Sequence, residues 1–116
     1  MEEKEHILVC LSSSPSNPKV INTASEMVKV FDADFTAIFI ETPLNKKMSP
    51  INKKRLNENT NLAKQNGANI VTLDGEDIAN KVSQYAQKSK VTKIILGSSG
   101  YKPNRFFSRQ IGRASC

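Results

Sequence analysis

Residues 6–18 of the sequence read HILVCLSSSPSNP, and this stretch decides the fold. The unbroken apolar run over residues 6–11 predicts a strand that is buried on both faces, as strands of a parallel sheet are. Three serines then predict the loop at the end of this strand. Asn17 and Pro18 predict a helix start, with asparagine as the N-cap residue and proline at the first helical position. The stretch is therefore the opening of a β-α unit.

The same unit recurs along the rest of the chain. The first helix carries one apolar stripe at helical spacing: Val20, Ile21, Ala24, Met27, Val28 and Phe31. Further strands are predicted over residues 35–40, 69–73 and 92–96, with helices between them over about 51–66 and 78–90. This alternation predicts an α/β fold, in which a Rossmann-like parallel sheet lies between two layers of helices.

Length and composition indicate one soluble globular domain over residues 1–116. No apolar run approaches the roughly 20 residues that span a bilayer, and the polar first residues are unlike a signal peptide. Cys10 and Cys116 are spaced neither as a metal knuckle nor as a disulfide framework. We therefore expect reduced thiols in a cytoplasmic chain.

The net charge is +6, and its distribution along the chain is uneven. Two basic stretches stand out, one near the middle and one at the end: Lys46, Lys47, Lys53, Lys54, Arg55 and Lys64, and then Lys102, Arg105, Arg109 and Arg113. Such surfaces favour anionic partners such as phosphates, acidic proteins or lipid head groups. A solvated lysine-rich face is the alternative, and we expect no nucleic-acid partner.

Two loops are candidate ligand sites, because ligands of open α/β sheets bind outside the carboxyl ends of the strands. The first holds Ser12, Ser13 and Ser14, and the second holds Gly97, Ser98, Ser99 and Gly100. Hydroxyls and free amides before a helix suit a phosphate, and glycine lets a ligand approach the backbone closely. The same residue types are common in plain turns, so both interpretations stay open.

Catalysis is not expected of this chain. His6 lies at a strand start and Cys10 lies within a buried strand, where a thiol is inert. The acids at residues 74–77 are typical of a helix N-terminus. The sequence contains no P-loop, dinucleotide fingerprint, metal-binding cluster or nucleophile elbow. We expect no catalytic residue, no metal and no cofactor.

Several stretches resemble a known family. ILVCLSSSPSN (7–17), DFTAIFIET (34–42) and VTKIILGSSG (91–100) resemble the universal stress protein fold, which is also that of the adenine nucleotide alpha-hydrolases. With RLNENTNLAKQNGANIVTLDGEDIA (55–79) they look like the stress-protein-like domain of KdpD potassium-sensing histidine kinases. The resemblance covers about residues 5–110. It implies a cytoplasmic regulatory domain of a membrane-bound two-component kinase that controls potassium uptake, with phosphotransfer performed by other domains.

The resemblance also implies a ligand. Some KdpD domains bind cyclic di-AMP through Ser-x-Ser, 20 further residues and Phe-Thr-Ala-x-Tyr. Here Ser12 and Ser14 are followed by residues 15–34 and then by Phe35-Thr36-Ala37-Ile38-Phe39. Phe39 replaces the tyrosine, which removes a hydroxyl but keeps an aromatic face for stacking on adenine.

Strand geometry predicts that only part of this motif lies near the ligand. If the first two strands pair in parallel with level ends, Ser12 lies beside Phe39 or Ile40, and Phe35 lies about 13 Å away at about 3.3 Å per residue. We therefore expect Ser12, Ser14 and Phe39 near the ligand, Phe35 in the core, and Thr36 and Ala37 acting by shaping the strand.

Departures from the family leave other interpretations open. Nucleotide-binding stress proteins have aspartate where this chain has Ser12, and Gly-Ser or Gly-Thr where it has Gln110-Ile111, so ATP is a weaker candidate than cyclic di-AMP. The family's last helix and fifth strand are not expected here, which would expose an edge of the fourth strand to a second copy. The rival interpretation is a module that docks a stand-alone universal stress protein or other kinase domains without binding nucleotide.

Overall fold

The protein is described here by a computed structural model, which covers residues 4–95. Strands and helices alternate, with a short 3-10 helix over Asn45–Lys47: β1 His6–Cys10, α1 Asn17–Phe31, β2 Asp34–Glu41, α2 Pro50–Gln65, β3 Asn69–Asp74, α3 Ile78–Lys88 and β4 Lys93–Ile95. All strand pairs are parallel, in the order β3-β2-β1-β4. This confirms the predicted α/β fold, with β4 at one edge of the described sheet.

The sheet is covered on both faces, because successive side chains of a strand point to opposite sides. Ile7, Val9, Phe35 and Ala37 pack on the face beneath α1 and α2. Leu8, Ile38 and Ile40 pack on the other face beneath α3. Burial of each large aliphatic side chain contributes about 1.5–3 kcal/mol. Phe35, only 4% exposed, lies in the core as predicted.

Besides the stripe of α1, the sequence predicts an apolar stripe on α3 made of Ile78, Ala79, Val82 and Ala86. Both stripes are shorter than predicted. Phe31, Ile78 and Ala79 are exposed, and each lies at a helix terminus. Val20, Ile21, Ala24, Val82 and Ala86, nearer the helix centres, are buried as predicted. Phe31 still lies beside the sheet, since Lys93 Nζ of β4 is 4.8 Å from the centre of its ring. None of the helices within residues 4–95 has the length and apolar character needed to cross a bilayer.

The helix ends follow local chemistry in two of the three α-helices. Ser49 caps α2 by accepting from the Asn52 amide at 3.2 Å, and Asp77 caps α3 by accepting from the Asn80 amide at 3.3 Å. Gly67 follows α2 with φ +92°, a conformation that suits glycine. In α1 the predicted asparagine cap is wrong: Ser16 occupies the N-cap position and makes no side-chain cap bond.

Candidate functional site

The register of β1 and β2 sets the geometry of the candidate site. Cys10 pairs with Ile38, and the Leu11 amide donates to the Ile38 carbonyl at 2.8 Å, which extends the pairing by one residue. The two strands begin level, with His6 beside Asp34, and β2 runs past the end of β1 to Glu41. This places Ser12 next to the end of β2, as predicted, and leaves Phe35 at the opposite end, where it pairs with Ile7.

A cleft of about 130 Å³ lies at these strand ends, and we call it the apical cleft. Its lining is Cys10, Leu11, Ser12, Ser13, Ile38, Phe39, Ile40, Asn45, Met48 and Ile78. The cleft brings together three of the candidate site residues, Ser12, Ser13 and Phe39. Two of them lie in the loop after β1 and the third lies near the end of β2.

Two buried asparagines hold the backbone of the serine loop. Asn17 accepts from the Ser12 amide through Oδ1 at 3.1 Å and donates to the Cys10 carbonyl through Nδ2 at 3.0 Å. Asn59 of α2 donates through Nδ2 to the Ser12 carbonyl at 2.8 Å. This explains why Asn17 does not cap α1: its side chain satisfies the strand end, whose polar groups would otherwise be buried without partners.

The serine hydroxyls also stabilise the loop. Ser12 Oγ accepts from the Ser14 amide at 3.1 Å, and Ser14 Oγ accepts from the Ser16 amide at 3.2 Å. Ser14 Oγ and Ser16 Oγ lie 2.9 Å apart. Ser14 is not among the residues that line the apical cleft. The turn interpretation therefore describes Ser14. Ser12 takes part in the turn and also lines the cleft, and Ser13 lines the cleft.

The remaining candidate residues lie elsewhere. Thr36 is buried beside Leu8 of β1, and its Oγ1 lies 2.8 Å from His6 Nε2. Ala37 is fully buried in the core under α1 and α2. Neither lines the apical cleft. Gly97, Ser98 and Ser99 lie outside the described residues, as do the basic residues predicted near the end of the chain.

The apical cleft offers binding groups. Burial raises the pKa of the Cys10 thiol to about 12, so this side chain stays protonated near neutral pH. Asn45 closes one side, with its Nδ2 donating to the Ile40 carbonyl at 3.1 Å. Within residues 4–95, no cluster of three His, Cys, Asp or Glu side chains is placed to hold a metal ion. Hydroxyls beside Phe39 and apolar walls suit a ligand with polar and flat aromatic parts.

A second cleft, of about 260 Å³, opens between α2 and the sheet, and we call it the lateral cleft. Its apolar lining is Leu11, Phe39, Leu56 and Ile70, and its polar lining is Lys53, Asn57, Thr60 and Thr72. Leu11 and Phe39 also line the apical cleft. The two clefts lie on opposite faces of the sheet, the apical cleft on the side of α3 and the lateral cleft on the side of α2, with Leu11 and Phe39 as shared walls.

Sequence reasoning missed two residues of the site, Asn17 and Asn59, and the whole lateral cleft. A signal for Asn59 existed: with Leu56 and Ala63 it follows helical spacing on the inward face of α2. An asparagine among inward-facing positions indicates a buried hydrogen bond, since polar groups are rarely buried without one. Asn17 carried no comparable signal, because its pattern fits a helix cap equally well.

No protein-family model matches the chain. Two curated proteins resemble it over most of its length. A KdpD sensor protein from Clostridium acetobutylicum is 31% identical over 99 residues, 85% of this chain. A KdpD sensor protein from Escherichia coli K12 is 24% identical over 94 residues, 81% of this chain. The chain spans only 11% and 10% of the length of these two relatives.

Solved structures share the fold at low sequence identity. A universal stress protein crystallised with cAMP has a TM-score of 0.64 and 16% identity, over 87% of this chain and 78% of its own. A universal stress protein from Archaeoglobus fulgidus has a TM-score of 0.63 and 15% identity, over 96% and 90%. A universal stress protein from the same organism in complex with dAMP has a TM-score of 0.55 and 15% identity, over 80% of each chain.

Proposed function

We propose that this chain is a ligand-sensing domain of a KdpD-type kinase. It is related to a segment of the KdpD sensor proteins and has the universal stress protein fold. The ligand of this proposal is cyclic di-AMP, and the binding site is the apical cleft. In the parent protein the domain would lie on the cytoplasmic side and regulate a kinase that controls potassium uptake. Its partners would be the other domains of that kinase.

One observation carries the proposal: the apical cleft gathers Ser12, Ser13 and Phe39 at the carboxyl ends of β1 and β2. Ser12 and Phe39 belong to the two halves of the spaced motif that the resemblance connects with cyclic di-AMP. Support for an adenine nucleotide comes from the structural relatives, two of which are complexes with cAMP and dAMP.

The cleft chemistry fits the parts of such a ligand. Serine hydroxyls in the loop before α1 would donate to a phosphate, at a helix N-terminus that favours negative charge. The ring of Phe39 would stack on an adenine. Gly97, Ser98 and Ser99, which follow β4, remain proposed contributors to the phosphate contacts.

Signalling requires that the ligand bind one state of the kinase more tightly than another. The bond from Asn59 to the Ser12 carbonyl joins the ligand loop to α2. A ligand that moves the serine loop would therefore act on α2 directly. We propose α2 as the element that passes ligand occupancy to the next domain.

Calorimetric titration of the 116-residue chain with cyclic di-AMP, and separately with ATP, tests this function. We expect saturable binding of cyclic di-AMP that is at least tenfold tighter than binding of ATP. Ser13→Asp should abolish cyclic di-AMP binding by placing a carboxylate beside the phosphates. Asn61→Asp changes the charge equally on an exposed position of α2, and should bind within twofold of the wild type. Absence of heat with a folded wild-type chain would refute the proposal.

A docking module is the second candidate, and the segment after β2 favours it. Leu44 and Ile51 are 81% and 64% exposed. Residues 42–57 also carry Lys46, Lys47, Lys53, Lys54 and Arg55 and no acid. An acidic partner with an apolar patch, such as another kinase domain or a stand-alone universal stress protein, would suit this surface.

The docking candidate has its own test. Leu44→Asp combined with Ile51→Asp should abolish association with the purified partner and leave cyclic di-AMP binding within twofold. Pairing of two copies through β4 is a separate proposal, which sedimentation of the chain at increasing concentration would test. A strictly monomeric chain would refute it.

A further inference from the structure

We infer that the outer edge of β3 is a docking site for an extended peptide segment, which pairs with β3 as one more strand of the sheet. The segment is acidic, and one of its side chains is a large apolar group that enters the lateral cleft. This inference goes beyond the proposed function and does not depend on it, because no residue of β3 lines the apical cleft.

The first argument is that β3 has an open edge. β3 ends the described sheet on the side opposite to β4. None of its six residues is buried, whereas five of the eight residues of β2 are. Proteins usually protect such an edge with proline, lysine, a bulge or a covering segment, since its unpaired groups attract other strands. β3 reads NIVTLD, with neither proline nor lysine, so within residues 4–95 this edge lacks two of the usual protections.

The second argument is the direction of the main-chain groups of β3. The Gly75 amide donates to the Glu41 carbonyl of β2 at 3.2 Å. In a strand, the N–H and C=O of one residue point to the same side, and those of the next residue point to the other side. Counted back from Gly75, the residues Ile70, Thr72 and Asp74 therefore direct these groups away from β2. Each of them offers one donor and one acceptor to an added strand.

The third argument is that the lateral cleft adjoins this edge. Ile70 and Thr72 of β3 line the cleft, together with the apolar side chains of Phe39 and Leu56. An added strand directs every second side chain to the α2 side of the sheet, next to Ile70 and Thr72. A cleft of about 260 Å³ at this place suits a large apolar side chain. In such docking the main-chain bonds supply affinity, and pockets for alternate side chains supply specificity.

The fourth argument is charge. Lys53, Asn57, Thr60 and Lys64 follow the spacing of one row along α2, and the first three of them line the lateral cleft. The two lysines are about 16 Å apart along the helix, at about 1.5 Å per residue. This is close to the length of β3, about 17 Å at about 3.3 Å per residue. α2 has four basic side chains and one acid, and β3 adds one acid, which gives a net charge of +2. The surface around the edge therefore favours an acidic segment.

Selected peptides test the inference. Short random peptides displayed on phage would be selected on the immobilised 116-residue chain, and fluorescence polarisation would then measure their affinities. Thr72→Pro removes one outward N–H, and an edge strand tolerates proline at such a position. Asp74→Pro removes another at the end of the strand. Thr72→Val keeps the N–H and the shape of the side chain and is the matched control.

We expect the selected peptides to be acidic, to carry a large apolar residue, and to bind the two proline variants at least tenfold more weakly than the wild type. Thr72→Val should bind within twofold of the wild type. Bound peptide should slow hydrogen exchange of the Ile70, Thr72 and Asp74 amides and leave those of Val71 and Leu73, which face β2, unchanged. This exchange pattern is measured on the wild-type chain, so it decides the matter even where a proline variant fails to fold.

The inference is wrong if no peptide is selected, or if the selected peptides bind the folded proline variants as tightly as the wild type. It is also wrong if the three outward amides become protected in the chain alone as its concentration rises, because a second copy would then occupy the edge. None of these results bears on the proposed function, which the titration with cyclic di-AMP tests separately.

Discussion

Asn59 on α2 donates through Nδ2 to the backbone carbonyl of Ser12 at 2.8 Å, which joins a helix to a strand end 47 residues away in sequence. Asn59 is 5% exposed, so this bond forms away from bulk water. It fixes the first residue of the serine loop. The loop that borders the apical cleft is therefore held from outside by α2.

Removing this bond should destabilise the fold. Asn59→Ala leaves the Ser12 carbonyl without this partner, and we expect the free energy of unfolding to fall by about 1–3 kcal/mol. Asn61→Ala, on an exposed position of the same helix, should change it by less than about 0.5 kcal/mol. Urea unfolding followed by circular dichroism measures both. Equal stabilities of the two variants would mean that the bond contributes nothing to the fold.

Asn17 should matter at least as much, because its side chain makes two bonds with the strand end. It is 3% exposed and contacts the Ser12 amide and the Cys10 carbonyl. Asn17→Ala should lower the free energy of unfolding by about 2–3 kcal/mol, the loss expected for two buried groups left unpaired. The control is Asn22→Ala, an exposed asparagine on the same helix. A loss below about 0.5 kcal/mol, the range of an ordinary surface change, would mean that these two bonds do not stabilise the fold.

Thr36 belongs to the spaced motif that the resemblance connects with cyclic di-AMP. We predict that it stabilises the fold and does not contact the ligand. Its hydroxyl meets His6 in the sheet interior, well away from the apical cleft. Thr36→Val keeps the shape of the side chain and removes this bond, and should cost about 1 kcal/mol of stability. Cyclic di-AMP should still bind within twofold in calorimetry. A loss of binding at unchanged stability would show that Thr36 contacts the ligand.

Cys10 should be unreactive in the folded chain. Burial raises the pKa of its thiol from the ordinary 9.0 to about 12, so at pH 8 the folded chain holds roughly a thousandfold less thiolate than the unfolded chain. In a Cys116→Ser background, iodoacetamide should alkylate Cys10 rapidly only after urea is added. Fast alkylation in native buffer would contradict this burial.

The same shift predicts a pH dependence of stability. Below pH 9 the thiol is protonated in both states and contributes no pH dependence. Between pH 9 and about 12 the unfolded chain loses this proton and the folded chain keeps it, so stability falls as the pH rises. Cys10→Ala should remove this component from unfolding midpoints measured over that range. If the unfolding midpoint of the variant falls with pH as steeply as that of the wild type, the raised pKa of Cys10 does not cause the fall.

The sequence was sufficient for the strands and for the parallel pairing of β1 with β2. Ile7 to Leu11 and Phe35 to Ile40 are apolar on both faces, and such runs are typical of one environment, the centre of a parallel sheet. Continuing the parallel pairing by two residues then places Leu11 beside Phe39 and Ser12 beside Ile40. This part of the site follows from strand periodicity and needs no knowledge of side-chain packing.

The rest depends on tertiary contacts that local patterns do not contain. Asn17 fits a helix cap locally, but the unpaired groups at the end of β1 compete for its side chain and bind it instead. The lateral cleft exists because Asn57 and Thr60 leave the space between α2 and the sheet open. That space depends on the distance between the helix and the sheet, which the sequence of α2 alone does not determine.

The most direct test of the central claim is a cyclic di-AMP titration of the 15N-labelled 116-residue chain, followed through its amide resonances. We expect saturable shifts for Ser12, Ser13, Phe39 and Ile40 at the apical cleft, and none for His6, which lies at the opposite end of β1. Unchanged spectra at saturating cyclic di-AMP, or shifts confined to residues 50–57 of the basic segment, would contradict a ligand site in the apical cleft.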